Sequence, residues 1–402
     1  MHLIGSDVKF VITSFLDGMD ALSLMSVNTT WQQLSKLERF CRLLYTHLFG
    51  ECTERDMDIF EWNAETTWAF RLAVRCATMR NRRNGHVTNT IQIPFNDLHR
   101  ETCLIDGSIL YLDRFNDTRW FALRKHTEIS EYRKRSMPAS TQRPRGPHQV
   151  FKNPNVEIQV RGEEIVVVNT TTEKDVCVLG VIGEIAQVDC DPASDLVLIS
   201  KDDGDDDSHL MSILDIRDGK RYPVSDAYGQ LASHRSILHN GRLLVRYTDT
   251  FLNHVHLLDA KSGKVIAARL TGAGWWLVGM MPRHVVMRDA DLDNQWRVRL
   301  LDAETLAETT VWDRARKPVM DLCGNELMID QTFDQRRRQW THVDVHGKKR
   351  VMDADFAPAQ MKIMAFNCRW LLVADGTGNF VYDFMPPRTE PAQQGAKRFK
   401  TN

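Results

Sequence analysis

The chain has 402 residues, 52 Lys and Arg against 53 Asp and Glu, and a 43% hydrophobic fraction. That length allows two or three domains with a sizeable core. The formal net charge of −1 argues against a dedicated nucleic-acid binder or a polybasic membrane protein, since both need a cationic surplus. No apolar run approaches the roughly 18 residues that cross a bilayer, and Met1–Phe15 lacks the apolar core of a secretory signal. The eight cysteines are scattered without a CxxC pair. They read as reduced core residues of a cytosolic or nuclear protein.

Residues 1–84 carry a helical period, with apolar residues three or four apart. Val8, Val11, Ile12 and Phe15 share one face. Leu22, Leu24, Met25 and Val27 make a second segment, and Leu34, Leu37 and Phe40 a third. Asp7 and Asp20 stand where an N-terminal carboxylate satisfies open backbone donors. Two more helices are expected, around Leu43–Phe49 and Thr66–Arg80.

From about His86 short β-rich runs alternate with turns bearing Gly, Asp, Asn and Ser. Six strands end in an apolar residue followed by Asp or Asn: Val168-Asn169, Leu214-Asp215, Leu258-Asp259, Leu301-Asp302, Val343-Asp344 and Tyr382-Asp383. The spacings are 46, 44, 43, 42 and 39 residues. A degenerate seventh copy, Trp120–Ile129, lies about 45 residues before the first. Another strand precedes most of these motifs, as at Leu196–Ser200, Leu243–Tyr247 and Val285–Arg288. Four strands per period of about 43 residues is a propeller-blade pattern, and seven copies predict a closed ring. The last copy lacks an outer strand after Asp383. The run Val87–Ile93 is unassigned, so it is expected to complete that last blade, with residues near Thr90 pairing near Val381.

The first 31 residues resemble an F-box. Ile4, Gly5, Asp7 and Val8, then Ile12, Ser14, Phe15 and Leu16, then Asp20, Leu22, Leu24, Val27 and Trp31 fall on its pattern without a gap. Gly5 replaces the usual Pro, and Asn28 the usual Cys. "TWAFRLAVRCATMRNRRNG" (67–85) is similar to the linker of F-box/WD-repeat proteins, through Trp68, Phe70, Arg75, Asn81, Arg82, Arg83 and Gly85. "LLDAKSGKVI" resembles the WD-repeat segment, with Leu for Trp and no Gly-His signature.

The resemblance implies an F-box helical domain (1–50), a helical linker (51–85), a seven-bladed WD40-like β-propeller (86–385) and a disordered tail (386–402). It implies docking on a Skp-type adaptor through Ile4, Gly5, Val8, Ile12, Phe15, Leu16, Leu22, Leu24, Val27, Asn28 and Trp31. That adaptor bridges to cullin and RING subunits of a ubiquitin ligase. The protein would be a non-catalytic substrate receptor in the cytoplasm or nucleus of a eukaryotic cell, native to it or encoded by a virus or bacterium. Helices carrying this much apolar surface in a 40-residue unit need a partner to cover it.

Loops joining the second and third strands of each repeat are polar, charged and uneven: 114–119, 201–209, 247–253, 289–295, 330–339 and 375–379. Recognition residues concentrate on such loops. Arg336, Arg337 and Arg338 are candidates for an acidic or phosphorylated segment of a substrate protein, with Tyr247 and Arg119 beside other loops. The Asp run 202–207 lacks the EF-hand Gly and Glu positions. His254 and His256 face one side of a strand without a third ligand of matched spacing, so they read as a structural pair. No Walker loop, GxGxxG, GxSxG or HExxH is present. No cofactor or metal is expected. The basic stretch Arg133–Arg145 reads as a surface loop. A propeller scaffold without a ligase, and a propeller enzyme, are the competing classes.

Overall fold

The structure is a computed structural model. It describes residues 37–386 except 95–101, 106, 113–117, 125–126, 130–155, 162–163, 170–171, 173, 182–184, 192, 203–208, 225–234, 250–251, 273, 291–295, 317, 322–324, 333–337, 354–360 and 376. The chain divides into two compact units, residues 1–90 with 382–402 and residues 91–381.

The first unit holds α1 (Glu38–Phe49), α2 (Glu54–Phe60) and α3 (Trp68–Arg83). Phe40, Cys41, Leu44 and Tyr45 form the buried stripe of α1, which packs on α3. Gly50 ends α1 at φ 83°. A capping box starts α2, with Asp56 N–H donating to Thr53 Oγ1 at 3.2 Å and Thr53 N–H to Asp56 Oδ2 at 3.0 Å. Thr67 caps α3, and Arg80, Arg82 and Arg83 in its last turn suit the negative end of the helix dipole. Tyr45 sits edge-on to Phe49, Trp62 and Trp68. The buried Arg71 lies 4.8 Å over Trp68 and donates from Nη2 to Asn63 O at 2.8 Å.

The third expected segment and the helix expected around Leu43–Phe49 are not separate: Phe40 lies within one continuous helix, α1, which Leu37 precedes as N-cap, and the helix expected around Thr66–Arg80 corresponds to α3. α2 was not expected, although its Thr53–Asp56 spacing is a start signal. α1 and α3 pack against each other, and residues 1–36 of the domain expected at 1–50 lie outside the described residues.

Among the described residues, the remaining elements are strands. β1 is Asn89–Ile93. Then come β2 (Cys103–Ile105), β3 (Ser108–Leu112), β4 (Thr118–Ala122) and β5 (Thr127–Ile129). β6 (Val156–Arg161), β7 (Glu164–Asn169) and β8 (Lys174–Val181) follow. Next are β9 (Ile185–Cys190), β10 (Leu196–Asp202), β11 (His209–Asp215), β12 (Arg221–Pro223), β13 (Arg235–His239), β14 (Arg242–Asp249), β15 (Leu252–Asp259) and β16 (Val265–Thr271). The last are β17 (Trp276–Met280), β18 (His284–Ala290), β19 (Trp296–Asp302), β20 (Glu308–Ala315), β21 (Val319–Met320), β22 (Leu327–Thr332), β23 (Arg338–Val343), β24 (Lys349–Asp353), β25 (Lys362–Phe366), β26 (Trp370–Asp375) and β27 (Gly378–Asp383).

These strands form antiparallel meanders, β2 to β5, β6 to β8, β9 to β12 and β13 to β16. The meanders β17–β20 and β21–β24 are joined by the single pair Ala315 and Gln331. The final sheet runs β1-β27-β26-β25, so the strand at 89–93 lies outermost beside β27, as the sequence reading expects. Just before it, Thr88 donates from N and Oγ1 to Asp383 O at 2.8 and 2.7 Å.

First strands of neighbouring meanders touch, β9 with β13, β13 with β17, β21 with β25 and β25 with β2. This mostly-β arrangement is consistent with a β-propeller. Along β14, Leu243 and Val245 enter the seam toward β9–β12, while Leu244 enters the seam toward β17–β20. Sheets covered on both faces need unbroken apolar runs such as Leu243-Leu244-Val245. Each such side chain removed from water contributes roughly 1.5–3 kcal/mol.

The repeated Asp has a local cause. It ends or directly follows a strand, the third in the four-stranded meanders, and caps the turn to the next. Asp302 Oδ1 accepts from Glu304 N, Thr305 N and Thr305 Oγ1 at 3.0, 2.8 and 2.9 Å. Asp259 Oδ1 accepts from Ser262 N and Oγ, and Asp344 Oδ1 from His346 N and Lys348 N. Asn169 does the same for Thr172 N. A left-handed residue follows in the same turns, Gly219, Gly263 and Gly347, with Leu306 as the non-glycine case at φ 57°.

Polar contacts tie consecutive sheets in register. Asp191 accepts from Asn240 N and Gly241 N at 2.8 and 2.6 Å. Lys261 Nζ meets Asp215 Oδ2 at 2.5 Å, Arg242 Nη1 donates to Ala303 O at 2.7 Å, and Arg316 Nη1 to Met361 O at 2.9 Å. Burial alone would raise the Asp215 carboxyl, but hydrogen bonds from Arg217 and Lys261 hold it down at about 2.

Candidate binding surface

The connections singled out in the sequence do join second to third strands. They link β3 to β4, β10 to β11, β14 to β15, β18 to β19, β22 to β23 and β26 to β27. Alternation of direction puts the end of each second strand and the start of each third at one edge of its sheet.

The candidate residues fall on three different sheets. Arg119 is exposed on β4, opposite Tyr111. Arg338 begins β23 and pairs with Thr332, while Arg336 and Arg337 lie outside the described residues. Tyr247 is half-buried near the end of β14. Its ring stacks on His254 at 4.9 Å, and its hydroxyl meets His256 Nε2 at 3.1 Å. Burial and the neighbouring His254 hold His256 below the usual imidazole range. The His pair is therefore engaged by a tyrosine. Among the described residues no three metal-capable side chains cluster. The adaptor set Ile4 to Trp31, the stretch Arg133–Arg145, the alternating Asp203, Asp205 and Asp207, and the tail from 387 lie outside the described residues.

The structure adds a group the sequence reading passed over. Trp276 opens β17 and is 46% exposed, with the Arg246 guanidinium 5.3 Å from its ring centre. Arg288, opposite Trp276 in register, lies 4.4 Å over Trp296. Next along β18, the buried Asp289 faces Arg297 at 3.4 Å and Arg299 at 3.2 Å, and Arg299 also meets Glu308 at 2.6 Å. Half-exposed Trp and Arg are the residue types that anchor protein interfaces. The Trp pair in "GAGWWLVGMM" was the available sequence signal. Arg246 is 30 residues away, and no periodicity joins it to Trp276.

No family model matches the chain, and no curated protein matches it. Solved structures with similar folds include the β-propeller domain of the Trilobed protease from Pyrococcus furiosus, at 8% identity and TM-score 0.41, covering 73% of this chain and 82% of that one. U3-55K matches at 9% identity and TM-score 0.42, covering 73% and 98%. The WD40 domain of Toxoplasma gondii coronin matches at 10% identity and TM-score 0.39, covering 75% and 88%.

Proposed function

We propose that this chain is the substrate-recognition subunit of an SCF-type cullin–RING ubiquitin ligase. The observation that carries the reading is the order of parts along one chain. An F-box-like segment, Ile4 to Trp31, is followed by a helical cluster with buried Trp62, Phe60 and Tyr45, and then by antiparallel meanders, the last of which takes in the strand that follows the helices. In this reading the meanders close as a seven-bladed propeller. The N-terminal segment docks on a Skp-type adaptor. The edge carrying Tyr247, Arg119, Arg336, Arg337 and Arg338, joined by Arg246 and Trp276, receives the substrate protein. The chain performs no chemistry; it raises the effective concentration of a substrate lysine near charged ubiquitin. Its place of action is the cytosol or nucleus of a eukaryotic cell.

The test is capture of a purified Skp-type adaptor by the full chain. The double change Leu16→Ala with Leu22→Ala should abolish capture and leave the thermal unfolding of the sheets unchanged. Equal capture by the variant, or none by the parent chain, refutes the ligase reading. A parent chain that never captures the adaptor would instead be a propeller scaffold.

A further inference from the structure

Trp276, the ring that Arg246 meets at 5.3 Å, is the first residue of β17 and pairs with Arg288. A residue at the end of a strand is held by fewer neighbours than one in its middle. An interface anchor, however, serves best when its position is set before the partner arrives. The contacts around the preceding residue supply that constraint.

Trp275 is half-buried in the seam between the β13–β16 and β17–β20 sheets, against Leu257, Leu277 and Met287. Its N–H donates to Gly272 O at 3.1 Å, and its ring lies so close to Gly272 that a Cβ there would stand 2.9 Å from Nε1. Two guanidinium groups from different sheets meet the ring, Arg299 of β19 at 4.5 Å and Arg269 of β16 at 5.7 Å. One carboxylate oxygen joins the two cations. Glu308 Oε2, at the start of β20, lies 2.6 Å from Arg299 Nη1 and 3.9 Å from Arg269 Nη2. Arg269 Nη1 also donates to Leu306 O at 2.9 Å. Arg299 Nη2 lies 3.2 Å from Asp289, the residue after the Arg288 that pairs with Trp276. Arg299 and Asp289 are 14% and 5% exposed, so salt screens them less than it screens a surface pair.

We propose that Trp275, Arg269, Arg299 and Glu308 are positioning residues for the Trp276–Arg246 pair, so that this part of the binding edge is formed before any partner arrives. The inference rests on the reading of that edge as the substrate surface, and goes beyond it by assigning the residues that stand behind the anchor. Trp275 acts as a peg. The two cations hold its ring, the ring holds the backbone at Gly272 and Trp275, and that backbone sets the direction in which the next side chain leaves the sheet. Packing and ion pairs of this kind lock a recognition group in one geometry and cut the ordering cost of binding.

Fluorine NMR of the full chain labelled with fluorotryptophan tests this without adaptor or substrate. Loss of one resonance in Trp276→Phe assigns Trp276. Trp340→Phe and Trp370→Phe assign two buried rings on β23 and β26 as controls. Glu308→Gln removes the charge shared by the two arginines. Gly272→Ala crowds the Trp275 ring and leaves every charge in place. Each should shift or split the Trp276 resonance and leave Trp340 and Trp370 unmoved. Glu304→Gln, at a nearby carboxylate paired with Arg242 instead, should leave all three unmoved. If Trp276 keeps the parent resonance in both variants, the β17–β18 ladder alone sets it and the proposal is overturned. Should Glu308→Gln disturb Trp340 and Trp370 as well, Gly272→Ala decides. Movement of all three rings in both variants makes the network a general support of the fold and overturns the proposal too. A parent chain that captures no adaptor leaves this result standing, and an unmoved Trp276 leaves the ligase reading standing.

Discussion

Gly347 and Gly263 occupy equivalent third-to-fourth-strand turns with φ of 76° and 66°, but they differ in surroundings. A Cβ added at Gly263 meets nothing within 4 Å. One added at Gly347 would stand 2.4 Å from His284 Nε2 and 3.2 Å from its Cδ2. Alanine in the left-handed region costs about 1–2 kcal/mol, offset by about 0.4–1 kcal/mol because the unfolded chain is stiffened. Gly263→Ala should therefore cost about 1 kcal/mol. Gly347→Ala adds overpacking against an imidazole held in the seam, about 1–3 kcal/mol more. At about 2.1 cal/mol/K per residue, a unit of about 290 residues loses roughly 1.6 °C in Tm per kcal/mol. The expected shifts are about 1–2 °C for Gly263→Ala and about 3–6 °C for Gly347→Ala, followed by tryptophan fluorescence. Combining Gly347→Ala with His284→Ala should cost less than the sum of the two single changes, because the clash is gone. The reasoning fails if the two glycine variants melt together, or if the double variant is additive.

Asp302→Ala removes one carboxylate oxygen that accepts three turn donors. It should cost about 1–2 kcal/mol, read as a fall in Tm that Asp302→Asn largely avoids. Burial and the nearby Lys349 and Arg283 hold His284 below its usual range, with Asp302 opposing them. The unfolded chain therefore takes up that proton first. His284 stabilises fully above about pH 6.5, and the contribution is lost as pH falls from there toward the folded value. His284→Asn should show a smaller drop in Tm between pH 7.5 and 5.5 than the parent, and an equal drop would contradict this.

Much of the strand order was legible because its cause is local. The Leu-Asp repeat marks a strand end and a turn cap within five residues, as Asp302 shows. The closing role of 89–93 followed from counting strands per period. What escaped the sequence was contact between periods. Lys261 reaches Asp215 across 46 residues and Arg246 reaches Trp276 across 30, and nothing in either segment alone announces the meeting. α2 escaped for another reason. Seven residues are too few to show a helical period, so its capping box was the only signal.

The bonds from Thr88 to Asp383 span 295 residues of chain. Closing a loop of that length costs on the order of 5 kcal/mol in chain entropy. During synthesis the segment at 89–93 must wait, edge exposed, until residues 378–383 have left the ribosome. A chain cut short before residue 378 leaves the strand at 89–93 without its neighbour β27. Such a fragment presents an unpaired edge to chaperones and proteases, so translation through β27 is itself checked by the architecture.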